Sequence, residues 1–303
     1  HPENASAYFM RGSALLNQDR FQEALLDFEY ATQLGLRFPT TYISRGLAKQ
    51  AVGIDFMLVA ADVKAAIELD PKNPAYRATL ASVYLEGGLP DAALLEINTA
   101  LQLDPVSSDT YVDRSQIYSI LQQTDLALED AEMALSLEPE SAAGLAARGG
   151  IFLQIGDAQS ALSDLDLALA SDPTLDSAYI DRGQARMVIG DFQGALSDIQ
   201  TASELLHDHP RIPSIVSKAA YAQVLKGQAI KNLGDTTEAT QQVEQGLLIG
   251  WQSQWAGDAL ELLADLYGSP GSLQDLSEYE SLVSDHPENA SAYFMRGSAL
   301  LNQ

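Results

Sequence analysis

The residues able to do chemistry in this chain recur at a fixed beat. A carboxylate stands at Asp27, Asp62, Glu96, Asp130, Asp164 and Asp198, 34 or 35 residues apart. Cations keep the same phase at Arg11, Arg45, Arg114, Arg148, Arg182 and Lys226. Each cation precedes a small residue, usually Gly, and each acid follows another small residue by one helical turn. Two arrangements fit: a ladder of charges that binds a ligand, or partly buried ion pairs that fix the register between helices. The second is favoured, because both partners would meet along the seam where two helices approach closely. One place departs from the pattern. Leu80 replaces the cation while Glu96 remains, so Arg77 is expected to reach the acid or leave it solvated.

Other constellations are sparse. His207-Asp208-His209 is the single histidine cluster, and a metal site needs three or four ligands in a defined geometry. The Asp-His-Pro triplet recurs at 285–287, which favours a helix-terminating loop over a metal site. The chain has no cysteine, excluding disulfides, thiolate zinc and a cysteine nucleophile. No nucleophile elbow, phosphate-binding glycine loop, metalloprotease pair or EF-hand loop occurs. The expectation is a protein without cofactor or metal and without enzymatic activity. Asn4-Ala5-Ser6 and Asn289-Ala290-Ser291 match the N-glycosylation acceptor pattern, making Asn4 and Asn289 candidate modification sites.

Charge narrows the partners. With 42 acidic against 17 basic residues, the formal net charge is −25. Nucleic acid needs a cationic footprint and anionic membrane surfaces prefer one, so neither is an expected partner. No apolar run approaches the ~18 residues of a membrane span. Proteins remain as partners.

The elements that must position the charges are helical. Five stretches end alike, at 66–71, 100–105, 134–139, 168–173 and 281–287, with a proline that stops the helix. Small residues recur upstream at Ala31, Ala66, Ala100, Ala134, Ala168 and Ala202. Seven residues before these stand Ala24, Val59, Ala93, Ala127, Ala161 and Ala195. Positions seven apart share a helical face, where a neighbouring helix can approach closely. The preceding segments read AYFMRG (7–12), TYISRG (41–46), TYVDRS (110–115), GLAARG (144–149) and AYIDRG (178–183). Gly-Asp pairs at 156–157, 190–191 and 234–235 separate the two helices of a unit. The Gly is expected to be left-handed and the Asp to cap the next helix. Tryptophans Trp251 and Trp255 are expected to pack in a core.

These residues resemble the tetratricopeptide repeat family, whose pattern is an aromatic, Leu-Gly, Ala, Phe, Ala and Pro at set offsets. The resemblance implies an all-α, right-handed superhelical solenoid of helix–turn–helix hairpins, continuous over residues 1–303. Units are expected to begin near Ala5, Pro39, Pro74, Ser108, Ala142, Asp176, Ala220 and Ala256. Two insertions, at His207 to Ser214 and at 268–272, interrupt the phase. Family members that clamp a partner's carboxylate tail use Lys and Asn on the inward face of the first helices. The matching places here hold Phe9, Ile43, Val112, Ile180 and Val224, with Gln116, Gln184 and Gln228 one turn on. Neither residue type occurs there. The resemblance thus implies a groove for an extended uncharged peptide or a helix, unless these side chains simply pack on their neighbours.

One feature lies outside the repeat pattern. Residues 286–303 repeat residues 1–18 letter for letter, an offset of 285 residues. Residues 290–303 then read as the first helix of a ninth unit. Neither end carries the polar capping repeat that a free-standing solenoid needs. The expectation is a structural protein: one 285-residue period of a longer superhelical array, or a head-to-tail filament. The alternative is a scaffold or adaptor holding partner peptides in its groove. A fibre favours an extracellular or cell-surface location over the cytoplasm.

Overall fold

The computed structural model describes residues 4–207, 213–250 and 256–266. Asp208, His209, Trp251, Trp255, the 268–272 turn, Asn289 and the whole duplicated segment 286–303 lie outside them, as does the side chain of His207. Every regular element among the described residues is an α-helix. In order they are α1 (Ala5–Leu16), α2 (Phe21–Gln33), α3 (Pro39–Ala51), α4 (Phe56–Leu69), α5 (Pro74–Glu86), α6 (Pro90–Leu103), α7 (Ser108–Ile120) and α8 (Thr124–Leu137). The series continues with α9 (Ala142–Gln154), α10 (Ala158–Ser171), α11 (Asp176–Val188), α12 (Phe192–His207), α13 (Pro213–Leu233), α14 (Thr236–Gly250) and α15 (Ala256–Leu266). Odd-numbered helices are the first members of each hairpin. Six of them begin at Ala5, Pro39, Pro74, Ser108, Ala142 and Asp176, where the repeat phase placed them.

Local signals account for these boundaries. Asn4, Asn73, Ser107 and Ser141 each accept a hydrogen bond from an amide of the first turn, and Pro39 and Pro74 occupy it without needing a partner. Between the two helices of a hairpin the chain turns through one left-handed residue: Gly53, Gly88, Gly156, Gly190 and Gly234 all have positive φ. Asp191 and Asp235 then cap the following helices, accepting from Gly194 N and Glu238 N, each at 3.0 Å. In two hairpins a residue with a side chain takes the glycine's place, Asp19 at φ 57° and Gln122 at φ 58°.

The chain divides into two compact units. The first comprises residues 1–157 with 170–172, and its core runs along the helix seams. Val59, Ala60, Val63, Leu80, Val83, Ala93, Ile97 and Ile117 form one buried cluster, and Leu15, Ala24, Leu25, Phe28 and Ala48 another. The second comprises residues 158–169 and 173–303, centred on Ile180, Ala195, Ile199, Ala202, Ala222 and Leu225. The small residues marked by the seven-residue spacing are all buried, from Ala24 and Ala31 to Ala195 and Ala202. Each lost methylene from such a core costs on the order of 1 kcal/mol, so the seams supply most of the hairpins' stability.

Two departures from the sequence pattern have physical causes. The insertion at His207 to Ser214 is partly helix: α12 runs on to His207, and α13 starts at Pro213 with Ala220 in its interior. Nothing after Pro213 breaks the helix, so it extends to 21 residues. In the same hairpin Gly246 replaces the usual Ala. A Cβ there would lie 2.7 Å from the Ala220 carbonyl oxygen and 2.6 Å from Val224 Cγ2. The backbones of α13 and α14 approach too closely for alanine, which is why glycine stands there.

The turn residues yield a stability test. Gln122→Gly is expected to raise stability by about 1 kcal/mol, because a left-handed backbone strains any residue with a Cβ. Gly190→Ala, at φ 84° with open space around it, is expected to lower stability by a similar amount. Urea midpoints of the two variants should move in opposite directions.

Candidate functional site

The repeating chemistry begins with a pair on each first helix. Tyr and Arg three residues apart share a face, and the guanidinium lies over the ring. Arg11 sits 5.4 Å from the Tyr8 ring centroid, Arg45 5.3 Å from Tyr42, Arg114 5.5 Å from Tyr111 and Arg182 5.4 Å from Tyr179. The ring aims the fork across the seam at the acid of the second helix. Arg11 Nε and Nη2 donate to the two Asp27 oxygens at 2.7 and 2.6 Å. Arg114 holds Asp130 at 2.6 and 2.7 Å, and Arg182 holds Asp198 at 2.9 and 2.7 Å. Arg45 grips Asp62 the same way, with Nε at 3.0 Å and Nη2 on the other oxygen.

The acids are buried and the arginines mostly shielded. Asp27, Asp62, Asp130, Asp164 and Asp198 keep only 3–6% of their surface. A lone carboxylate at such a site would be strongly disfavoured, and the bidentate fork offsets that cost. The hydrogen bond to the acid raises the pKa of Arg11, Arg45, Arg114 and Arg182 above the ordinary guanidinium value. All four stay charged at any pH at which the protein folds.

A second cation or ring follows one turn later. Lys49 Nζ reaches Asp62 at 2.9 Å and Arg186 Nη1 reaches Asp198 at 2.8 Å. At the same place Tyr118 lies under Arg114 at 5.6 Å, and Phe152 under Arg148 at 5.9 Å. These partners were not singled out from sequence, although the Tyr-x-x-Arg spacing was visible in the quoted motifs.

The guanidinium's remaining nitrogen reaches outside its own hairpin. Nη1 of Arg45, Arg114 and Arg182 donates to Thr32 Oγ1, Asn98 Oδ1 and Asp166 Oδ1, each at 2.8 Å. Those acceptors belong to the preceding second helices, α2, α6 and α10. One side chain thus joins three helices.

The irregular hairpin resolves as the sequence allowed. Arg77 Nη1 meets Glu96 Oε2 at 2.7 Å, while Leu80 fills the usual arginine place at 1% exposure. Arg77 Nε remains buried without an acceptor. Lys226 makes no ion pair among the described residues, for Gln242 occupies the acid position of α14.

Of the two placements the sequence left open, most of the groove residues take the packed one. Val112, Ile180 and Val224 are buried at 4, 6 and 6% exposure. Phe9 is half-buried against Phe28 at 5.8 Å, and Ile43 packs on the first core cluster. Gln184 donates to Tyr221 Oη at 3.2 Å, and Gln228 faces Asn232. Gln116 alone is exposed. Branched apolar side chains at this place pack into the helix layer, so they offer no surface to a ligand. Asn4 is exposed, with its Oδ1 committed to the α1 cap through Ala7 N at 3.1 Å.

Two carboxylates behave unlike the ladder, and one of them, Asp113 on α7, has its pKa pushed up to about 6 by burial, with Asp109 adding to the rise. Asp181 on α11 is half-buried without an arginine fork, and its pKa is pushed up to about 7. Burial is the main cause, Lys218 pulls the value down and Asp176 pushes it up. Among the described residues no group of three or more His, Asp or Glu is arranged to hold a metal. No helix among them is long and apolar enough to cross a membrane.

Comparison with known proteins agrees with the repeat chemistry. A family model for the tetratricopeptide repeat matches residues 1–35 and 118–176. The crystal structure of the APC/C hetero-tetramer Cut9–Hcn1 superposes with a TM-score of 0.68 at 16% identity, covering 98% of this chain and 56% of that one. The chain therefore spans little more than half that relative's length. TTC0263, a thermophilic TPR protein of Thermus thermophilus, gives a TM-score of 0.52 at 21% identity, covering 61% of this chain and 98% of that one. At these identities the likeness is one of fold. No curated protein sequence matches the chain.

Two measurements probe the charges. Asp130→Ala is expected to cost about 2–3 kcal/mol by stranding Arg114, while Arg114→Met combined with Asp130→Leu should restore most of it. Denaturant unfolding of the three chains separates the pair's net worth from the cost of breaking it. Asp181 holds its proton longer in the native state than at its ordinary value of 3.8. Stability should therefore fall as pH rises from about 4 to about 7. Asp181→Asn should remove its share of that slope, leaving the part below about pH 6 that Asp113 contributes, and should make the protein more stable than wild type above about pH 7.

Proposed function

We propose, starting from a chain that carries tetratricopeptide repeats and their fold, that the protein is a non-enzymatic assembly element built to continue beyond its own length. In this reading it is one 285-residue period of a longer array of helical hairpins, or the subunit of a head-to-tail filament. The observation that carries it is the identity of residues 286–303 with residues 1–18. A surface that follows residue 285 in one copy is chemically the same as the surface that opens the next. A head-to-tail contact between unlike ends propagates into a fibre wherever its rotation does not close a ring.

The repeat physics supports this reading. Each hairpin buries its apolar seam only against its neighbours, and stacking another hairpin extends the same core. The ladder adds register, because each guanidinium fork accepts one carboxylate in one orientation. The net charge of −25 discourages lateral clumping. Placement at a cell surface or outside the cell remains part of the proposal, motivated by the fibre reading and the Asn4 acceptor pattern.

The adaptor alternative shares the general protein-interaction role that the repeat fold supports, but its particular groove has less behind it. Seven of the eight places offered as groove lining are buried or half-buried, and only Gln116 presents a free polar side chain. Negative-stain electron microscopy of the chain at rising concentration tests the preferred reading. Filaments that lengthen with concentration are expected. Discrete particles of constant length at every concentration would reject the filament, and two or more blocks joined in one chain that fail to form a single longer rod would reject the array.

A further inference from the structure

Within the first unit, successive hairpins are joined in two different ways. Arg45 and Arg114 each carry a nitrogen over to the preceding second helix, meeting Thr32 on α2 and Asn98 on α6 at 2.8 Å. The α4–α5 joint lies between those two, and among the described residues no guanidinium crosses it. Leu80 stands 34 residues before Arg114 and Lys64 stands 34 before Asn98, so both halves of the bridge are replaced together. What meets across this joint is mostly apolar. Val59, Val63 and Ile67 of α4 share one buried cluster with Leu80, Ala81 and Tyr84 of α5. Lys64 lies over the Tyr84 ring at 5.3 Å, on a flexible stem. Apolar burial has no preferred direction, so these contacts do not fix α4 along the axis of α5.

The same joint has a polar contact at a place where the other two carry apolar residues. Gln50, near the end of α3, donates its amide to both oxygens of Glu86, the last residue of α5, at 2.6 Å. The matching positions hold Leu16 and Ala51 on α1 and α3, and Leu85 and Ile120 on α5 and α7. A single tie at the end of α5 thus replaces a fork at its middle. We infer that α4–α5 is a shear joint, in which α4 slides on α5 with the Gln50–Glu86 contact as its pivot. Sliding keeps the apolar cluster buried, whereas separating the helices would expose it, so the motion is small and lateral. Glu86 lies six residues beyond Leu80, about 9 Å along the helix. The tie therefore restrains one end of α5 and leaves the middle able to shift. The inference concerns the first unit alone and does not depend on whether copies join end to end.

Spin labels on paired cysteines read the motion, because the chain has no cysteine of its own. Ala61, Leu95 and Glu129 are exposed, 34 residues apart and matched in repeat phase. The pair Ala61→Cys with Leu95→Cys spans the α4–α5 joint. Leu95→Cys with Glu129→Cys spans the α6–α7 joint, which Arg114 closes. The first distance distribution should be broader than the second, by about 1.5-fold or more. Transplanting the fork through Lys64→Asn, Arg77→Tyr, Leu80→Arg and Glu96→Asp should narrow the first to the breadth of the second. Glu86→Ala should broaden it further by removing the pivot. Circular dichroism checks that each variant keeps its helices, and should the transplant unfold, the wild-type pairs and Glu86→Ala decide. Equal breadth in the two wild-type pairs overturns the shear joint. A folded transplant as broad as wild type overturns the fork as the restraint, and a distribution unchanged by Glu86→Ala overturns the pivot.

Discussion

A carboxylate buried between two helices cannot remain charged without a cation, and much of this molecule follows from that requirement. Asp27, Asp62, Asp130 and Asp198 are nearly inaccessible, and each is met by a guanidinium presented by a tyrosine ring on the facing helix. Replacing such pairs with apolar side chains is often neutral or stabilising, so stability alone does not explain them. Register does. The apolar seams of alanine, valine and isoleucine resemble one another from hairpin to hairpin, and a hydrophobic surface of that kind tolerates sliding. A bidentate fork accepts one partner at one position, and a third contact to the preceding helix fixes the neighbour as well.

The helices were legible in sequence because their determinants are local. Proline at the first turn, an Asn or Ser cap and a left-handed glycine act within a few residues of one another, so six first helices start where the phase put them. The Arg and acid series was legible because both partners repeat at one spacing. What stayed hidden depends on the third dimension. The contacts from Arg45 to Thr32 and from Arg114 to Asn98 span 13 and 16 residues, and the acceptors share no residue type. Nothing in composition marks Thr32, Asn98 and Asp166 as equivalent. The fate of Val112, Ile180 and Val224 was similarly undecided, because an apolar residue on a first helix serves a groove or a core equally well. The length of α13 was missed for another reason: a spacing rule treats extra residues as an interruption, whereas a stretch without a breaker continues the helix.

Where the ladder deviates, the deviation is consistent across several residues. In the third hairpin Leu80 replaces arginine, and the place on α4 that elsewhere offers an acceptor holds Lys64. An arginine at 80 would have met a like charge there. Instead Lys64 lies 5.3 Å from the Tyr84 ring, and Glu96 is served from one turn earlier by Arg77 through a single bond. The chain therefore joins α3–α4 to α5–α6 by apolar packing, the Lys64–Tyr84 contact and a hydrogen bond from Gln50 Nε2 to Glu86 at 2.6 Å, in place of a guanidinium bridge.

That substitution makes the joints between hairpins mechanically unequal. A spring of identical coils stretches evenly, whereas one with an unstapled joint yields there first. Contacts without a fork allow small rotations that a bidentate charge pair resists, so the joint at Lys64 and Leu80 is expected to yield more readily than those closed by Arg45 or Arg114.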